Sequence, residues 1–243
     1  MSKTTIHKIV AVALVTAGIF FVFGKIGVER IAKHIFYRVQ AILVLSLERD
    51  LDIKLDISFH RQEHSLSCEI ATLKMALDYY GLDISENELL TNLVFDTTEP
   101  RSPQNIWGNP NLGFVGDIDG KIPDDGYGVY PKPLAQLTNR YRPARAFEEA
   151  TLSQILTEVA RKRPVIVWGS IGSGKDISWR AEDGEEIKAV LGEHTRVITG
   201  FSGTVSNPKK IFLMDPVYDI RVMTKANFLA DWALLDNKAV VVY

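Results

Sequence analysis

The chain has 243 residues, of which 46% are hydrophobic, and a formal net charge of −2 at pH 7. This length allows one domain of ordinary size with an appendage, or two small domains. Lysine and arginine are spread along the chain, which is not typical of a nucleic-acid-binding protein, and the single cysteine excludes an internal disulfide framework or a multi-cysteine zinc site. We therefore expect no nucleic-acid partner and no cofactor.

The N-terminal part has the features of a membrane anchor. An uncharged, mostly apolar run covers residues 9–24, between Lys8 and Lys25. The run is short, because a ~30 Å hydrocarbon core takes about 20 helical residues, but snorkelling lysines or continuation through Val28 would complete the span. We predict a single-pass N-terminal transmembrane helix over residues 1–25, with a cleaved signal peptide as the alternative. Basic residues flank both sides of the run, so the expected extracytoplasmic body rests on the usual behaviour of such anchors.

Residues 26–50 interleave apolar and basic side chains at helical spacing. We interpret them as a juxtamembrane helix or linker, which either lies along the membrane surface or is solvated with one packed stripe. Residues 51–243 have the pattern of a single globular domain in which helices come first and mostly antiparallel strands follow. The predicted class of this domain is therefore α+β.

Capping residues and terminal glycines mark the predicted helices of this domain. These helices are residues 67–80 before Gly81, one that opens at Ser85 with Glu88, one that opens at Thr151 with Gln154, and residues 225–235 after Thr224. Residues 95–133 are rich in Gly, Pro, Asn and Asp, and this segment is too long for a simple connection. We expect it to be an ordered functional loop.

Four residues together match the requirements of cysteine-based attack on a carbonyl. Cys68 lies in the first turn of a predicted helix, where unpaired amides and the helix dipole favour a thiolate. His194 opens a predicted strand and is a candidate base, and Asp215 closes the next strand, where it would orient the imidazole. Gln62, six residues before the cysteine, is a candidate oxyanion donor together with the Cys68 amide.

At these residues the sequence resembles the cysteine peptidases related to the double-glycine leader peptidases that process bacteriocins, a branch of the papain-like superfamily. The resemblance covers roughly residues 55–243 and rests on Gln62, "SCEIATLKMALDYYG", "GYGVYPKPLAQL", "RPVIVWGS", "GEHTRVITGF" and "IFLMDPVYD". It implies a papain-like fold with a central helix that carries Cys68, with that residue as nucleophile, His194 as base, Asp215 as orienting residue and Gln62 as oxyanion donor. Leader peptidases usually carry Gly after the cysteine, whereas this chain has Glu69, as expected of a stand-alone, YvpB-like branch. The transporter and ATP-binding parts of leader-processing enzymes are missing from this sequence.

Two other patterns resemble ligand-binding motifs, but we expect neither to bind a ligand. The stretch "GSIGSGKD", residues 169–176, has the spacing of a phosphate-binding loop, but Asp176 replaces the required Ser or Thr, so we expect a surface hairpin and no nucleotide. The acidic run in "GDIDGKIPDDG" lacks the spacing of a helix–loop–helix calcium site, so we expect no metal.

Aromatic residues in the long loop either line a peptide cleft or fasten the loop to the core, and these are Trp107, Phe114, Tyr127 and Tyr130.

The sequence therefore predicts a membrane-anchored cysteine peptidase that cleaves a peptide or isopeptide bond of a peptide or protein substrate through a thioester. The first alternative is a catalytically inactive module of the same fold, which binds a peptide or a cell-envelope partner. The second alternative is an acyltransferase that uses the same residues with an amine acceptor.

Overall fold

The computed structural model describes residues 51–98 and 101–243. The predicted anchor (residues 1–25) and juxtamembrane helix (residues 26–50) lie outside the described residues. Within the described ranges, no helix is long and apolar enough to cross a membrane. The predicted α+β domain can therefore be compared with the structure, whereas the anchor stays a prediction.

The described residues form five α-helices, a short 3₁₀ helix and nine strands. In chain order they are β1 (Leu51–Lys54), α1 (Cys68–Asp78), α2 (Glu86–Asn92), α3 (Pro131–Thr138), β2 (Ala144–Phe147), α4 (Leu152–Ala160), β3 (Val165–Ser170), β4 (Asp176–Arg180), β5 (Glu186–Val190), β6 (Glu193–Gly203), β7 (Pro208–Asp215), β8 (Asp219–Thr224), α5 (Lys225–Trp232), the 3₁₀ helix (Ala233–Leu235) and β9 (Ala239–Val242).

The main sheet has seven strands. Six of them lie in the order β2, β9, β3, β6, β7 and β8, and β1 pairs with the C-terminal end of β6. The strand pairs of this sheet are antiparallel. Strands β4 and β5 form a separate antiparallel hairpin. This architecture agrees with the predicted order of a cysteine-bearing helix first and a mainly antiparallel sheet afterwards.

Helices cover both faces of the central strand β6. The hydroxyls of Thr72 on α1 and Thr195 on β6 lie 3.1 Å apart, and the guanidinium of Arg196 donates to Asp231 on α5 at 2.9 Å. Because neighbouring residues in a strand point to opposite faces, α1 and α5 lie on opposite sides of the sheet. This explains why nearly all residues of β6 are buried, without the alternation of buried and exposed residues that is found in a strand with one solvated face.

The capping signals located the helices well. Ser85 accepts a hydrogen bond from the Glu88 amide, Thr151 and Gln154 form a complete capping box, and Thr224 caps α5. The predicted loop over residues 95–133 extends too far, because α3 already begins at Pro131. Proline favours the first turn of a helix, where its missing N–H costs nothing, so this end of the loop was predicted wrongly.

The long loop is fastened to the domain by its own aromatic side chains. Trp107 and Tyr127 are buried and pack against Trp179 of β4, with ring centroids 5.2 and 5.0 Å apart. The Trp179 indole N–H donates to the Gly108 carbonyl at 2.7 Å. Of the two interpretations of these aromatics, the structure therefore favours fastening for most of them, because Phe114 and Tyr130 are also buried.

The phosphate-loop-like stretch, residues 169–176, connects β3 to the hairpin β4–β5. Strand β3 ends at Ser170, and the chain then turns directly into β4 at Asp176. A phosphate loop requires a helix whose N-terminal amides face the phosphate, and a strand cannot supply them. The stretch therefore forms no phosphate loop, but the hairpin predicted for residues 169–176 is wrong, because β3 does not pair with β4 and the hairpin is formed by β4 and β5 instead.

Candidate active site

The chain enters α1 so that Cys68 is its first helical residue. The side chain of Cys68 is buried, and its Sγ donates a hydrogen bond to Oε2 of Glu69 at 3.2 Å. The Cys68 amide belongs to the first turn, where helical N–H groups have no partner in their own helix. No acceptor for this amide lies within residues 51–98 and 101–243, so the amide is available to a bound group.

The resting thiol of Cys68 is protonated, contrary to the prediction of a thiolate. Burial raises the pKa of Cys68 well above its ordinary value, and the charges of Glu69 and Glu193 raise it further. Hydrogen bonds from Thr195 act in the opposite direction but are the smaller effect. The sequence showed the helix terminus that favours a thiolate, but it could not show the burial and the second carboxyl group.

His194 and Asp215 are brought together as predicted. Both are buried, and Nε2 of His194 lies 3.0 Å from Oδ1 of Asp215. Hydrogen bonds and charge from His194, the Val217 amide and Arg196 together outweigh burial and hold the pKa of Asp215 well below its usual range. The carboxylate is therefore ionised and can only accept, which assigns the proton to Nε2 and leaves Nδ1 as a free acceptor.

The imidazole of His194 is suited to take up a proton from a neighbour. Burial lowers its pKa below the ordinary value, although Asp215 partly opposes this effect. The ring is therefore neutral near pH 7. No hydrogen-bond partner of Nδ1 is found in the described part of the chain.

A second set of contacts, which sequence reasoning missed, holds the carboxylate oxygen of Asp215 that does not contact His194. Arg196 donates from Nε to Oδ2 of Asp215 at 2.8 Å, from one terminal nitrogen to Asp231 at 2.9 Å, and from the other to the Ser170 carbonyl at 2.8 Å. Arg196 is two residues after His194 on one strand, so both side chains point to the same face. That spacing was visible in the sequence and could have pointed to Arg196.

Cys68 and His194 line one cavity of about 310 Å³, together with Gln62, Glu193 and Val217. The two catalytic candidates approach it from different sides, since Cys68 contacts the face of β6 that carries Thr195, whereas His194 shares the opposite face with Arg196. They meet at the start of β6, and no hydrogen bond joins them in the described structure. Direct transfer of the thiol proton to His194 would therefore require the two side chains to come closer.

Gln62 lines this cavity, but its amide group is already engaged. Nε2 donates to the carbonyls of His64 at 2.8 Å and of Ser65 at 2.9 Å, and the buried Oε1 has no partner among the described residues. The Gln62 backbone amide donates to the Pro216 carbonyl at 3.1 Å, which ties this segment to the turn after Asp215. Its predicted oxyanion role would require one of the two local bonds to open.

Two buried carboxyl groups lie beside the thiol, and neither was predicted as part of the site. Oε1 of Glu69 accepts from the Val129 amide at 2.6 Å, and Oε1 of Glu193 is buried without a hydrogen-bond partner in the described structure. Burial raises the pKa of Glu69 to about 7, and burial together with the charge of Glu69 raises that of Glu193 well above its ordinary value. In the sequence, Glu69 stands out only as a departure from the pattern of the resembled leader peptidases.

The two histidines near Cys68 in sequence are held elsewhere. His60 bonds to the buried carboxylate of Glu86 at 2.8 Å, and Nδ1 of His64 lies 3.1 Å from Asp119 of the long loop. Both contacts fix the segment that leads into α1. Neither histidine lines the cavity of Cys68, so His194 remains the candidate base.

A second cavity, of about 390 Å³, lies between β1, β7 and β8. Its walls include Leu55, Phe212, Met214 and Ile220 and contain neither cysteine nor histidine. It is larger than the cavity of Cys68, but it offers no nucleophile or base. The chemistry of the described residues is therefore assigned to the smaller cavity.

Comparisons with known proteins show what the chain is similar to. The uncharacterized protein YvpB of Bacillus subtilis (strain 168) is 27% identical over 181 residues, which are 72% of this chain and 68% of that protein. The crystal structure of a C39-like peptidase from Bacillus anthracis has 23% identity and a TM-score of 0.68, and covers 80% of this chain and 98% of that chain. The peptidase domain of Streptococcus ComA, a bi-functional ABC transporter involved in a quorum-sensing pathway, has 13% identity and a TM-score of 0.45 over 76% of this chain and 98% of that chain.

The model of the Peptidase_C39 like family matches residues 54–240, which is most of the chain and nearly all of its described part. The match includes all four predicted site residues, from Gln62 to Asp215. It begins and ends within a few residues of the predicted domain. The chain belongs to the Peptidase_C39 like family.

Proposed function

We propose that this protein is a cysteine peptidase that hydrolyses a peptide or isopeptide bond through a thioester intermediate. The observation that carries the proposal is the buried pair of His194 and ionised Asp215, which leaves Nδ1 of His194 as a free acceptor in the cavity of Cys68. Cysteine attack requires a base of this kind. Family membership supports the same chemistry.

The reaction starts from the protonated thiol. On substrate binding, Cys68 turns away from Glu69 and gives its proton to Nδ1 of His194, and Sγ forms a bond to the carbonyl carbon. The resulting tetrahedral intermediate collapses when the C–N bond breaks, and His194 returns the proton to the departing amine. Water then attacks the thioester with His194 as base, releases the carboxylic acid product and restores the thiol.

The negative oxygen of the tetrahedral intermediate needs donors that are already in place. The amide of Cys68 at the start of α1, which has no acceptor among the described residues, is one such donor. Gln62 is the second donor in this proposal, after one of its bonds to the His64 and Ser65 carbonyls opens. Asp215 keeps the imidazole in its useful tautomer throughout, and Arg196 and the Val217 amide hold that carboxylate.

The substrate in this proposal is a peptide or protein, and the peptidase acts at a membrane surface. The apolar run over residues 9–24 supports single-pass anchoring through residues 1–25. The peptidase body lies outside the cytoplasm in this account. The cavity of about 310 Å³ is large enough for a few atoms of substrate on either side of the scissile bond, and the rest of a polypeptide would extend along the surface.

The protonated state of the resting thiol favours one alternative, a binding module without catalysis. In that account, Cys68 stays bonded to Glu69, and the cavity holds a peptide that is never cleaved. The alternative predicts that Cys68→Ala binds peptides as tightly as the unchanged protein.

Cleavage of a pool of short peptides in ¹⁸O-labelled water separates the two accounts. The peptidase account predicts new carboxyl termini that carry one ¹⁸O, and it predicts their loss in Cys68→Ala and in His194→Ala. Cleavage that persists in Cys68→Ala would contradict it. Retention of peptides without cleavage by both the unchanged protein and Cys68→Ala would favour the binding module.

A further inference from the structure

Three acidic side chains converge beside the cavity. The ligand atoms of Cys68, Glu69 and Glu193 all lie within 4.8 Å of one another, and all three residues are buried. Two of these residues are neighbours at the start of α1, and Glu193 opens β6. The hydrogen bond between Thr72 and Thr195 holds this helix against this strand, so the cluster is built into the packing of the domain.

The cluster lacks a positive partner in the described structure. Ion pairs in residues 51–98 and 101–243 include neither Glu69 nor Glu193. Arg196 acts on Glu193 only through space, because its hydrogen bonds go to Asp215, Asp231 and the Ser170 carbonyl. The buried Oε1 of Glu193 has no hydrogen-bond partner in this part of the chain, and a buried unpaired carboxylate oxygen is costly.

We propose that Cys68, Glu69 and Glu193 bind one thiophilic divalent cation, Zn²⁺ or Cd²⁺, and that this ion blocks the Cys68 thiol. Cysteine sulfur and carboxylate oxygen are both zinc ligands, with bonds of about 2.0–2.3 Å, so tetrahedral ligand atoms lie roughly 3.5 Å apart. The separation of 3.2 Å between Sγ of Cys68 and Oε2 of Glu69 is close to that value. The third ligand atom, on Glu193, lies within 4.8 Å of the other two, so it needs to move inward by about 1 Å at most.

The surroundings suit an ion at this position. The Val129 amide holds Oε1 of Glu69 at 2.6 Å, which fixes the carboxylate and leaves Oε2 for the ion. Cys68 and Glu193 both line the cavity of about 310 Å³, which provides entry and room for a water as fourth ligand. The thiol proton, and any proton on the carboxyl groups, leaves to solvent when the ion binds. A thiolate among the ligands favours zinc or cadmium over magnesium or calcium.

This inference goes beyond the proposed peptidase activity, because the site needs no substrate. It predicts that bound metal blocks the reactivity of the Cys68 thiol and that a chelator restores this reactivity.

Cadmium titration of the reduced full-length protein tests the site directly. Because Cys68 is the only cysteine, the ultraviolet charge-transfer band of a cadmium–thiolate bond reports this position alone. We expect one equivalent to bind, Zn²⁺ to displace it, and Glu193→Gln to weaken binding by at least about tenfold. The matched control is Glu63→Gln, an exposed carboxylate of the other His/Glu cluster, which should bind like the unchanged protein.

Near-ultraviolet circular dichroism shows whether Glu193→Gln keeps its packing, and Glu69→Gln serves as a second variant if it does not. The inference is overturned if no cadmium–thiolate band appears, or if a folded Glu193→Gln or Glu69→Gln variant binds cadmium as tightly as the unchanged protein. The readout is independent of peptide cleavage, so failure of this site and failure of the proposed function are distinguishable.

Discussion

The contacts between Arg196 and Asp215 allow a quantitative test with Arg196→Met. The side chain of Arg196 is 10% exposed and that of Asp215 is fully buried, and the two are joined at 2.8 Å. Removing one partner of a buried ion pair typically costs about 3–5 kcal/mol, because the other charge stays buried. Asp215 keeps His194 and two backbone amides, and Asp231 is partly exposed. We therefore expect a loss of about 3 kcal/mol in the free energy of unfolding.

Arg161→Met is the matched control. Arg161 also pairs with a carboxylate, Glu158, at 2.8 Å, but its side chain is 57% exposed. Exposed pairs typically contribute about 0–1 kcal/mol. Urea unfolding followed by tryptophan fluorescence measures both variants, since Trp168 is buried in β3. Equal losses in the two variants would refute the reasoning, because burial would then have no effect on the cost.

Three further predictions follow from the same contacts. Because the pKa of Asp215 is depressed in the folded protein, its ionised carboxylate stabilises the fold above the unfolded pKa of about 4, and this stability is lost as the pH falls below that value. In urea unfolding, the free energy of unfolding should therefore fall less between pH 4 and 2 for Asp215→Asn than for the unchanged protein. Arg196 lowers the pKa of His194, so Arg196→Met should raise it in an NMR titration of the imidazole; an unchanged or lower value would contradict this. Gly128→Ala would drive Cβ into Oε1 of Glu69 and should cost about 1–3 kcal/mol more than Gly172→Ala, which also has positive φ but meets nothing within 4 Å; similar melting temperatures would contradict this.

The parts of the site that could be predicted from the sequence are those set by local chain geometry. The cysteine at a helix start, the histidine at the beginning of a strand and the aspartate at the end of the next are each visible in one short stretch. Antiparallel pairing of β6 with β7 then brings His194 to Asp215. The capping residues likewise located α2, α4 and α5 because a cap is a local interaction.

The parts that could not be predicted depend on packing between distant elements. The protonation state of Cys68 follows from burial and from Glu193, which lies 125 residues away in the chain and reaches the thiol only because α1 packs against β6. The engagement of the Gln62 amide depends on the turn that follows it. Strands β1 and β2 were not predicted because each has only four residues, and charged side chains interrupt their apolar residues, so no clear pattern is visible.

The central claim is that His194 is the base for Cys68. The most direct measurement is the rate at which a peptidyl chloromethyl ketone labels the single cysteine near pH 7, followed by mass spectrometry in the unchanged protein, His194→Ala and the control His64→Ala. General-base assistance is typically worth about 10²–10⁴-fold, so labelling should slow by at least about tenfold in His194→Ala and stay unchanged in His64→Ala. Equal labelling of the unchanged protein and His194→Ala would contradict the account.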